Sequence, residues 1–242
     1  MAKAKTKSAY VCDECGAEHG KWQGQCGTCG AWNTLSRVNI TPVSSAAVGY
    51  AGVTADVKRL SDIEAVDAER IGTGFTELDR VLGGGFVPGS VVLIGGDPGA
   101  GKSTLLLQAS TALAQHHGVL YVTGEESLQQ LALRAQRLQL PMDGLSVAAE
   151  TRAEVIANLV QTQRPKIVIL DSIQVMQMES VDSTPGSVAQ VRETASFFTR
   201  LAKQQDIVIV LVGHITKEGG IAGPKVLEHM IDCFMMLDSP AG

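Results

Sequence analysis

Residues 96–104 form a glycine-rich stretch whose composition and spacing suit the binding of a phosphate chain. They satisfy the phosphate-loop pattern, which is a glycine, four variable residues, and then Gly-Lys followed by Ser or Thr. Glycine lets consecutive backbone N–H groups curve around an anion, while the lysine reaches the β- and γ-phosphates and the next hydroxyl ligates Mg²⁺. The nine residues are Gly96, Asp97, Pro98, Gly99, Ala100, Gly101, Lys102, Ser103 and Thr104. The motif therefore predicts binding of a nucleoside triphosphate with Mg²⁺.

Carboxylates that could complete this site stand at the ends of two other apolar stretches, residues 167–171 and 119–122. Asp171 ends the first, and in phosphate-loop enzymes an aspartate at this place holds Mg²⁺ through water. Glu125 and Glu126 follow the second, and hydrolysis needs a base that orients water toward the γ-phosphate. We assign the base to Glu125, with Glu126 as the alternative. Thr123 and Glu126 also resemble a helix capping box, so Glu126 could cap the next helix while Glu125 acts as base.

His214 lies just after a third apolar run, Ile207–Val212. A polar side chain at this place is suited to sensing the γ-phosphate and passing its state to the next loop. The alternative is a histidine that is hydrogen-bonded at a strand end and has no part in the reaction. We include His214 among the catalytic candidates.

Four of the five cysteines form two Cys-x₂-Cys pairs separated by ten residues: Cys12, Cys15, Cys26 and Cys29. Two such pairs present four thiolates tetrahedrally to one Zn²⁺, and a closed site of this kind is structural. Disulfides are the competing interpretation, although they are rare in reducing compartments. Trp22 and Trp32 lie in the same segment and are expected to pack against the cysteine turns, with partner binding as the alternative. The remaining cysteine, Cys233, is expected in the core.

Strands and helices alternate after the cysteine segment. Apolar runs at 91–95, 119–122, 145–148, 167–171 and 207–212 are separated by helical stretches at 103–115, 127–138, 152–163 and 188–204. This alternation predicts an α/β fold with a parallel sheet flanked by helices. Ligands of such sheets bind at the carboxyl ends of the strands, where each candidate above lies.

The chain divides into three predicted parts. Residues 1–36 form a zinc ribbon that is too short to build its own hydrophobic core, so metal binding should drive its folding. Residues 37–57 are rich in Ser, Ala, Val, Gly and Thr and predict a flexible linker. Residues 58–242 form the ATPase core.

The composition and charge of the chain argue against several classes of protein. Apolar residues make up 45% of the chain and charged residues 19%, as in ordinary globular proteins. No apolar run approaches the roughly 18 residues that a membrane span needs, and the charged N-terminus lacks the apolar segment of a secretion signal. We therefore expect a cytoplasmic location. The net charge of −5 argues against a globally basic nucleic-acid binder.

Two loops are candidates for contact with a nucleic-acid strand. Residues 176–190 carry Met176, Met178 and Pro185, and residues 216–226 are glycine-rich and hold Lys217 and Lys225. Long loops in compact domains are usually functional. Backbone amides and lysines on such loops suit a phosphodiester backbone, although few aromatic residues are present for base stacking.

Several motifs together resemble the bacterial RadA/Sms DNA repair proteins, over essentially all of residues 10–237. These motifs are the cysteine ribbon with Trp22-Gln-Gly-Gln-Cys26, Thr73-Gly-Phe-Thr-Glu-Leu-Asp79, Leu82-Gly-Gly-Gly85, Pro88-Gly-Ser90, the phosphate loop, Gly124-Glu-Glu-Ser127, Leu170-Asp-Ser-Ile-Gln174, Pro185-Gly-Ser-Val-Ala-Gln-Val-Arg-Glu-Thr194 and Ala222-Gly-Pro-Lys-Val-Leu-Glu-His229.

The resemblance implies a RecA-like ATPase that binds single-stranded DNA and assembles as a homo-hexameric ring. It also implies recombinational repair, in which branched DNA intermediates are processed by ATP-driven branch migration beside the RecA recombinase. The same resemblance supports Glu125 as base, His214 as sensor and the two loops as DNA contacts.

One departure from the family is expected to weaken hydrolysis. Members continue with a Lys-Asn-Arg-Phe-Gly motif and a domain resembling the Lon protease, and neither follows Gly242 in this sequence. We therefore expect a C-terminally incomplete core that binds nucleotide more readily than it hydrolyses it. The rival hypothesis is a nucleotide-switched assembly or signalling ATPase on the same RecA-like core. In a third hypothesis, the zinc ribbon is a protein-docking module.

Overall fold

The computed structural model describes residues 7–40, 59–62, 69–214, 227 and 229–238. The candidate loop 216–226 and residues 41–57 of the predicted linker lie outside the described residues. A short 3₁₀ turn, Leu60–Asp62, lies between the predicted linker and the main domain.

The cysteine segment forms a small antiparallel sheet. Its strands are β1 (Lys7–Cys12), β2 (Glu18–His19) and β3 (Leu35–Ile40), in the order β2-β1-β3. The backbone of β3 pairs with β1 along its whole length, from Cys12 opposite Leu35 to Lys7 opposite Ile40. The prediction that the linker begins at residue 37 is therefore wrong for residues 37–40. Their backbone groups pair with β1 in the sheet. The sequence did not indicate this pairing, because the small and polar residues that follow are typical of a linker.

The main domain is built on a six-stranded sheet in which every described pairing is parallel. Its strands are β4 (Val91–Gly95), β5 (Val119–Thr123), β6 (Leu145–Ala149), β7 (Ile167–Asp171), β8 (Val208–Val212) and β9 (Cys233–Met236). The spatial order is β6-β5-β7-β8-β4-β9. The predicted fold class is confirmed: a RecA-like parallel sheet flanked by helices, with a four-cysteine zinc ribbon before it.

Within the described residues, five α-helices connect these strands or precede them. They are α1 (Thr76–Val81), α2 (Lys102–Leu113), α3 (Leu128–Arg137), α4 (Ala153–Gln163) and α5 (Val188–Gln205). The last four agree with the predicted helical stretches to within about two residues, as is usual for boundaries read from sequence. Helix α1 was not predicted because it has only six residues and one buried side chain, Leu78.

Alternate residues of the buried strands face two separate apolar layers. Val91, Leu120 and Val168 belong to the layer that α4 and α5 cover. Val92, Tyr121 and Ile169 belong to the layer that α1, α2 and α3 cover. Because both faces of the sheet are covered, these strands are continuous apolar runs without polar alternation.

Parallel register aligns the strand ends that carry the candidate residues. Thr123 at the end of β5 pairs with Asp171 at the end of β7, and Gly213 N bonds to Ile94 O across the ends of β8 and β4. The phosphate loop, Glu125, Asp171 and His214 therefore meet at one edge of the sheet, as the rule for open parallel sheets predicts.

Two local predictions differ from the structure. The capping box of α3 is formed by Ser127 and Gln130, whereas the Thr123 hydroxyl accepts from Glu126 N in the turn before the helix. Cys233 was expected in the core, but it is only partly buried. It lies in the edge strand β9, where one side of the strand has no neighbour among the described strands.

The zinc ribbon contacts the main domain through a small apolar cluster. Val11 of β1 is buried against Val181 and Ala189, with Met178 packed beside them. In strand β1, successive side chains point to opposite faces, so Val11 and its neighbour Cys12 face different surroundings. The contact joins the ribbon to the loop that precedes α5. Among the described residues, no helix is long and apolar enough to cross a membrane.

Glu150 joins the end of β6 to the start of α4 and is expected to make stability depend on acid. Its carboxylate accepts from the Thr151 and Arg152 amides and from the Arg152 guanidinium, at 2.9 to 3.1 Å. The Arg152 side chain is the main cause that lowers the pKa of Glu150 from 4.5 to about 2. Because the folded pKa is the lower one, this stabilisation is present above pH 4.5 and is lost as the pH falls toward 2.

Glu150→Gln should therefore destabilise the protein by about 1 kcal/mol at neutral pH, since Arg152 is half exposed and solvent screens the pair. Urea unfolding at neutral pH and near pH 3 measures the effect, and the difference from wild type should shrink to less than half at the lower pH. Glu77→Gln, which removes an exposed carboxylate paired with Arg80, is the matched control. An equal difference at both pH values would contradict the assignment.

Candidate active site and metal centre

The phosphate loop is an exposed turn between the end of β4 and the start of α2. Gly96, Gly99 and Gly101 have φ values of +149°, +84° and +91°, a region that side chains with a Cβ rarely adopt. At Gly96 a Cβ would also lie 2.3 Å from the carbonyl oxygen of Leu237, just after β9. The three glycines thus leave backbone without a Cβ at these places in the loop, directly before the positive end of the α2 dipole.

Lys102 is the first residue of α2 and is almost completely buried, at 3% exposure. Its ammonium donates to the carbonyl oxygens of Gly96 and Asp97, at 2.7 and 2.8 Å. Burial lowers the pKa of Lys102, while the nearby charges of Asp171, Asp97 and Glu125 oppose that shift. The lysine is therefore held across the loop, close to the carboxylates predicted to share the site.

Asp171 is buried at the end of β7, and Tyr121 of β5 is its hydrogen-bond donor. The phenol donates to Asp171 Oδ2 at 2.5 Å. Burial, and next the charge of Asp171, raise the pKa of Tyr121 well above its ordinary value, so the phenol keeps its proton. Ser103, the predicted magnesium ligand, is the second residue of α2, at the same edge of the sheet.

Glu125 and Glu126 have different surroundings although they are neighbours in the sequence. Glu126 forms an ion pair with Arg134 of α3. Glu125 accepts a hydrogen bond from the Ser172 hydroxyl, and His214 Nε2 lies 3.2 Å from its Oε1. The positive charge of Arg134 neutralises Glu126, whereas Glu125 faces polar groups at the strand ends.

His214 joins the site through both its side chain and its backbone. Its Nε2 contacts Glu125, and its carbonyl oxygen accepts from Gln174 Nε2 at 3.3 Å. Its Nδ1 is buried and has no hydrogen-bond partner among the described residues. This ring is therefore held by Glu125 on one side only.

Three residues of this arrangement were given no role from the sequence: Tyr121, Ser172 and Gln174. Ser172 and Gln174 lie one and three residues after Asp171, so polar residues just after the strand were the available signal. Tyr121 gave no such signal, because an aromatic residue inside an apolar strand is typical of any core.

The four predicted zinc ligands come together in the ribbon. Their sulfur atoms all lie within 4.8 Å of one another, and the pairs Cys12–Cys29 and Cys15–Cys26 are 3.6 Å apart. Tetrahedral Zn–S bonds of about 2.3 Å require sulfur atoms roughly 3.8 Å apart, so the cluster fits Zn²⁺. The distances are far too long for disulfide bonds, which measure about 2 Å.

Polar side chains support two of the thiolates. His19 Nε2 lies 3.4 Å from Cys26 Sγ, and Gln23 Nε2 lies 3.1 Å from His19 Nδ1. Since the amide nitrogen of Gln23 can only donate, this contact assigns Nδ1 as the acceptor and Nε2–H as the donor to the sulfur. The Thr34 hydroxyl lies 3.2 Å from Cys12 Sγ. Backbone N–H donation, first from Cys29, lowers the pKa of Cys26 to about 5, which favours the thiolate that a metal binds.

The two tryptophans of the ribbon are largely exposed. Trp22 is 56% exposed and Trp32 is 70% exposed, and atoms of both rings lie within 4.0 Å of the place that a Cβ on Gly24 would take. Packing of these rings against the cysteine turns stays a prediction.

The candidate loop 176–190 is organised by one buried side chain, Gln190 of α5. Its amide oxygen accepts from Met178 N, and its amide nitrogen lies within 3.3 Å of the carbonyl oxygens of Met178, Val181 and Ser183. The segment was predicted as a long loop, and the structure shows that it is pinned to α5 and covered by Val11.

Comparison with known proteins gives two family matches. The AAA domain family matches residues 57–220, and the rubredoxin metal binding domain family matches residues 10–37. A DNA repair protein RadA of Escherichia coli (strain K12) is 56% identical over 248 residues, which cover 100% of this chain and 54% of that protein. A DNA repair protein RadA of Bacillus subtilis (strain 168) is 46% identical over 240 residues, which cover 97% and 52%. The chain thus spans about half the length of these curated relatives.

Proposed function

Because this chain belongs to the AAA domain family, we propose that it is an ATPase that couples hydrolysis to single-stranded DNA in recombinational repair. The observation that carries the proposal is the meeting of Lys102, Asp171 and Glu125 at one edge of the parallel sheet. The resemblance to the RadA DNA repair proteins, confirmed over the whole chain, supports the repair role.

Each part of the site has a role suited to its surroundings. The loop amides and Lys102 would bind the phosphates, and the Ser103 hydroxyl and Asp171 would hold Mg²⁺, which would supply positive charge to stabilise the phosphate chain. Glu125 orients the attacking water, since its neighbour Glu126 is already paired with Arg134. Ser172 fixes the Glu125 carboxylate by donating to it.

We assign His214 to sensing of the γ-phosphate. It contacts Glu125 directly and stands at the last described residue before the candidate DNA loop at 216–226. A change in the Glu125 contact would therefore reach that loop through the same short segment. The Nδ1 of His214, which has no hydrogen-bond partner in the part of the chain that the structure describes, offers an atom that can respond to nucleotide.

The DNA contact is assigned to the loop that Gln190 organises and to loop 216–226. A pinned loop presents its backbone amides in a fixed arrangement, which suits a phosphodiester chain more than a particular base. The zinc ribbon covers the first loop through Val11, so the ribbon is placed to influence DNA binding. We infer domains at residues 1–36, with the ribbon sheet reaching residue 40, and at 58–242.

The wider biological role that we propose is inferred from the relatives. We propose branch migration on branched DNA, assembly as a homo-hexamer, cooperation with the RecA recombinase, and a cytoplasmic location. The rival function is a nucleotide-switched assembly or signalling ATPase, which the net charge of −5 favours because it weakens attraction to DNA.

Single-stranded DNA is expected to bind in an ATP-dependent manner and to raise the ATPase rate several-fold. Gln190→Ala should reduce this DNA binding, because it leaves four backbone groups of the loop without their partner. Fluorescence anisotropy of labelled single-stranded DNA, together with the ATPase rate and the oligomeric mass, measures these effects. Gln205→Ala at the exposed end of the same helix is the matched control.

Two results would count against the coupled function. If wild-type protein hydrolyses ATP but neither binds single-stranded DNA nor responds to it, the switched ATPase is the better description. If Gln190→Ala and Gln205→Ala bind DNA equally well, the loop assignment is wrong.

A further inference from the structure

Tyr121 is placed inside an apolar layer, yet its one polar atom reaches the candidate magnesium ligand. The side chain is fully buried among residues such as Leu107 and Ile169. Its phenol oxygen lies 2.5 Å from Asp171 Oδ2. A buried tyrosine needs a partner for its hydroxyl, and a buried carboxylate needs donors, so each group satisfies the other.

The sheet register explains why a residue of this length is required. Tyr121 pairs with Ile169, and Thr123 pairs with Asp171, so Tyr121 and Asp171 are diagonal neighbours on adjacent strands. Diagonal neighbours are roughly 7 Å apart, a separation that long aromatic side chains can bridge. Both residues therefore lie on the face covered by α2, whose N-terminus carries the phosphate loop.

We propose that Tyr121 is a positioning residue for the metal: it holds Asp171 Oδ2, fixes the carboxylate, and leaves Oδ1 to accept from the hydration shell of Mg²⁺. The proposal rests on the proposed nucleotide site and adds to it a residue that touches neither nucleotide nor metal. Phenylalanine at the same place would fill the apolar layer but would leave the carboxylate free to rotate.

The test is the gain in nucleotide affinity that magnesium confers. Fluorescent mant-ADP is titrated into wild type and Tyr121→Phe, once with magnesium chloride and once with EDTA. We expect similar affinities in EDTA and about a tenfold smaller magnesium-dependent gain in Tyr121→Phe, as for the loss of a hydrogen bond to a charged group. Manganese, which binds carboxylate sites more tightly, should restore part of the gain.

A control separates positioning from general loss of stability. Thr199→Val removes a buried hydroxyl that donates to Ala195 O, at 2.8 Å, on the far helix α5. It should lower the melting temperature without changing the magnesium-dependent gain. Replacing the Tyr121 side chain with 4-aminophenylalanine keeps a donor at the same place and should keep the gain close to that of wild type.

The outcomes distinguish this proposal from the proposed function. If wild type itself shows no magnesium-dependent binding, the nucleotide site is wrong. If wild type shows it and Tyr121→Phe keeps it, or Thr199→Val loses it equally, the role of Tyr121 is overturned. Should Tyr121→Phe fail to fold, the 4-aminophenylalanine protein decides: a retained gain supports the role and a lost gain refutes it.

Discussion

Glu125→Gln is expected to lower ATP turnover by about 10²- to 10⁴-fold while nucleotide binding is kept. The amide has the same shape as the carboxylate and still accepts from Ser172, so the local structure should persist. It cannot orient water with a negative charge or take a proton from it. Phosphate release gives the turnover, and mant-ATP fluorescence gives the affinity.

Glu126→Gln is the control that the sequence itself supplies. Its carboxylate is already paired with Arg134, so this substitution should change stability slightly and turnover little. If Glu125→Gln turns over ATP normally, the base is another group. If Glu126→Gln is the inactive variant instead, the base is Glu126 and not Glu125.

Cys26→Ser is expected to release zinc and unfold the ribbon while the ATPase core stays folded. A structural zinc ion contributes on the order of 10 kcal/mol to folding of a small ribbon, and three thiolates no longer close the site. The core has its own two apolar layers and does not depend on the ribbon for them. Zinc content by mass spectrometry and circular dichroism measure the two effects.

Unfolding of the ribbon should also expose the loop before α5. Val11 precedes Cys12, so unfolding of the ribbon should uncover Val181 and Ala189 and increase protease cleavage between residues 178 and 189. Cys233→Ser is the matched control, because this thiol lies in β9 outside the metal cluster and should leave the zinc content unchanged. One zinc ion retained per Cys26→Ser chain would contradict the four-thiolate site.

Much of the fold follows from local patterns in the sequence. The buried strands are continuous apolar runs, and helices such as α5 begin at a capping residue, Ser187, so both are recognisable without long-range information. The phosphate loop and the cysteine pairs are also local, because their chemistry depends on residues a few positions apart. The short helix α1 and the edge strand β9 were missed because they have too few residues for a periodic signal.

Other predictions failed where the outcome depends on distant partners. Residues 37–40 read as linker but are held in the ribbon sheet by β1. Residues 176–190 were predicted as a loop, but the sequence did not indicate that Gln190 supplies the hydrogen bonds that the loop backbone lacks locally. In both cases the missing information was the identity of the segment that supplies the hydrogen bonds.

The sequence alone determined the chemistry of this protein: a phosphate loop, strand-end carboxylates and four thiolates, each encoded by residue types at fixed short spacings. Tertiary structure alone decided how those groups are arranged. It placed β4 between β8 and β9, paired Glu126 with Arg134 so that Glu125 faces Ser172 and His214, and joined Tyr121 to Asp171. The physical reason is that spacing along the chain sets local geometry, whereas strand order and side-chain partners are set by burial and packing between segments far apart in sequence.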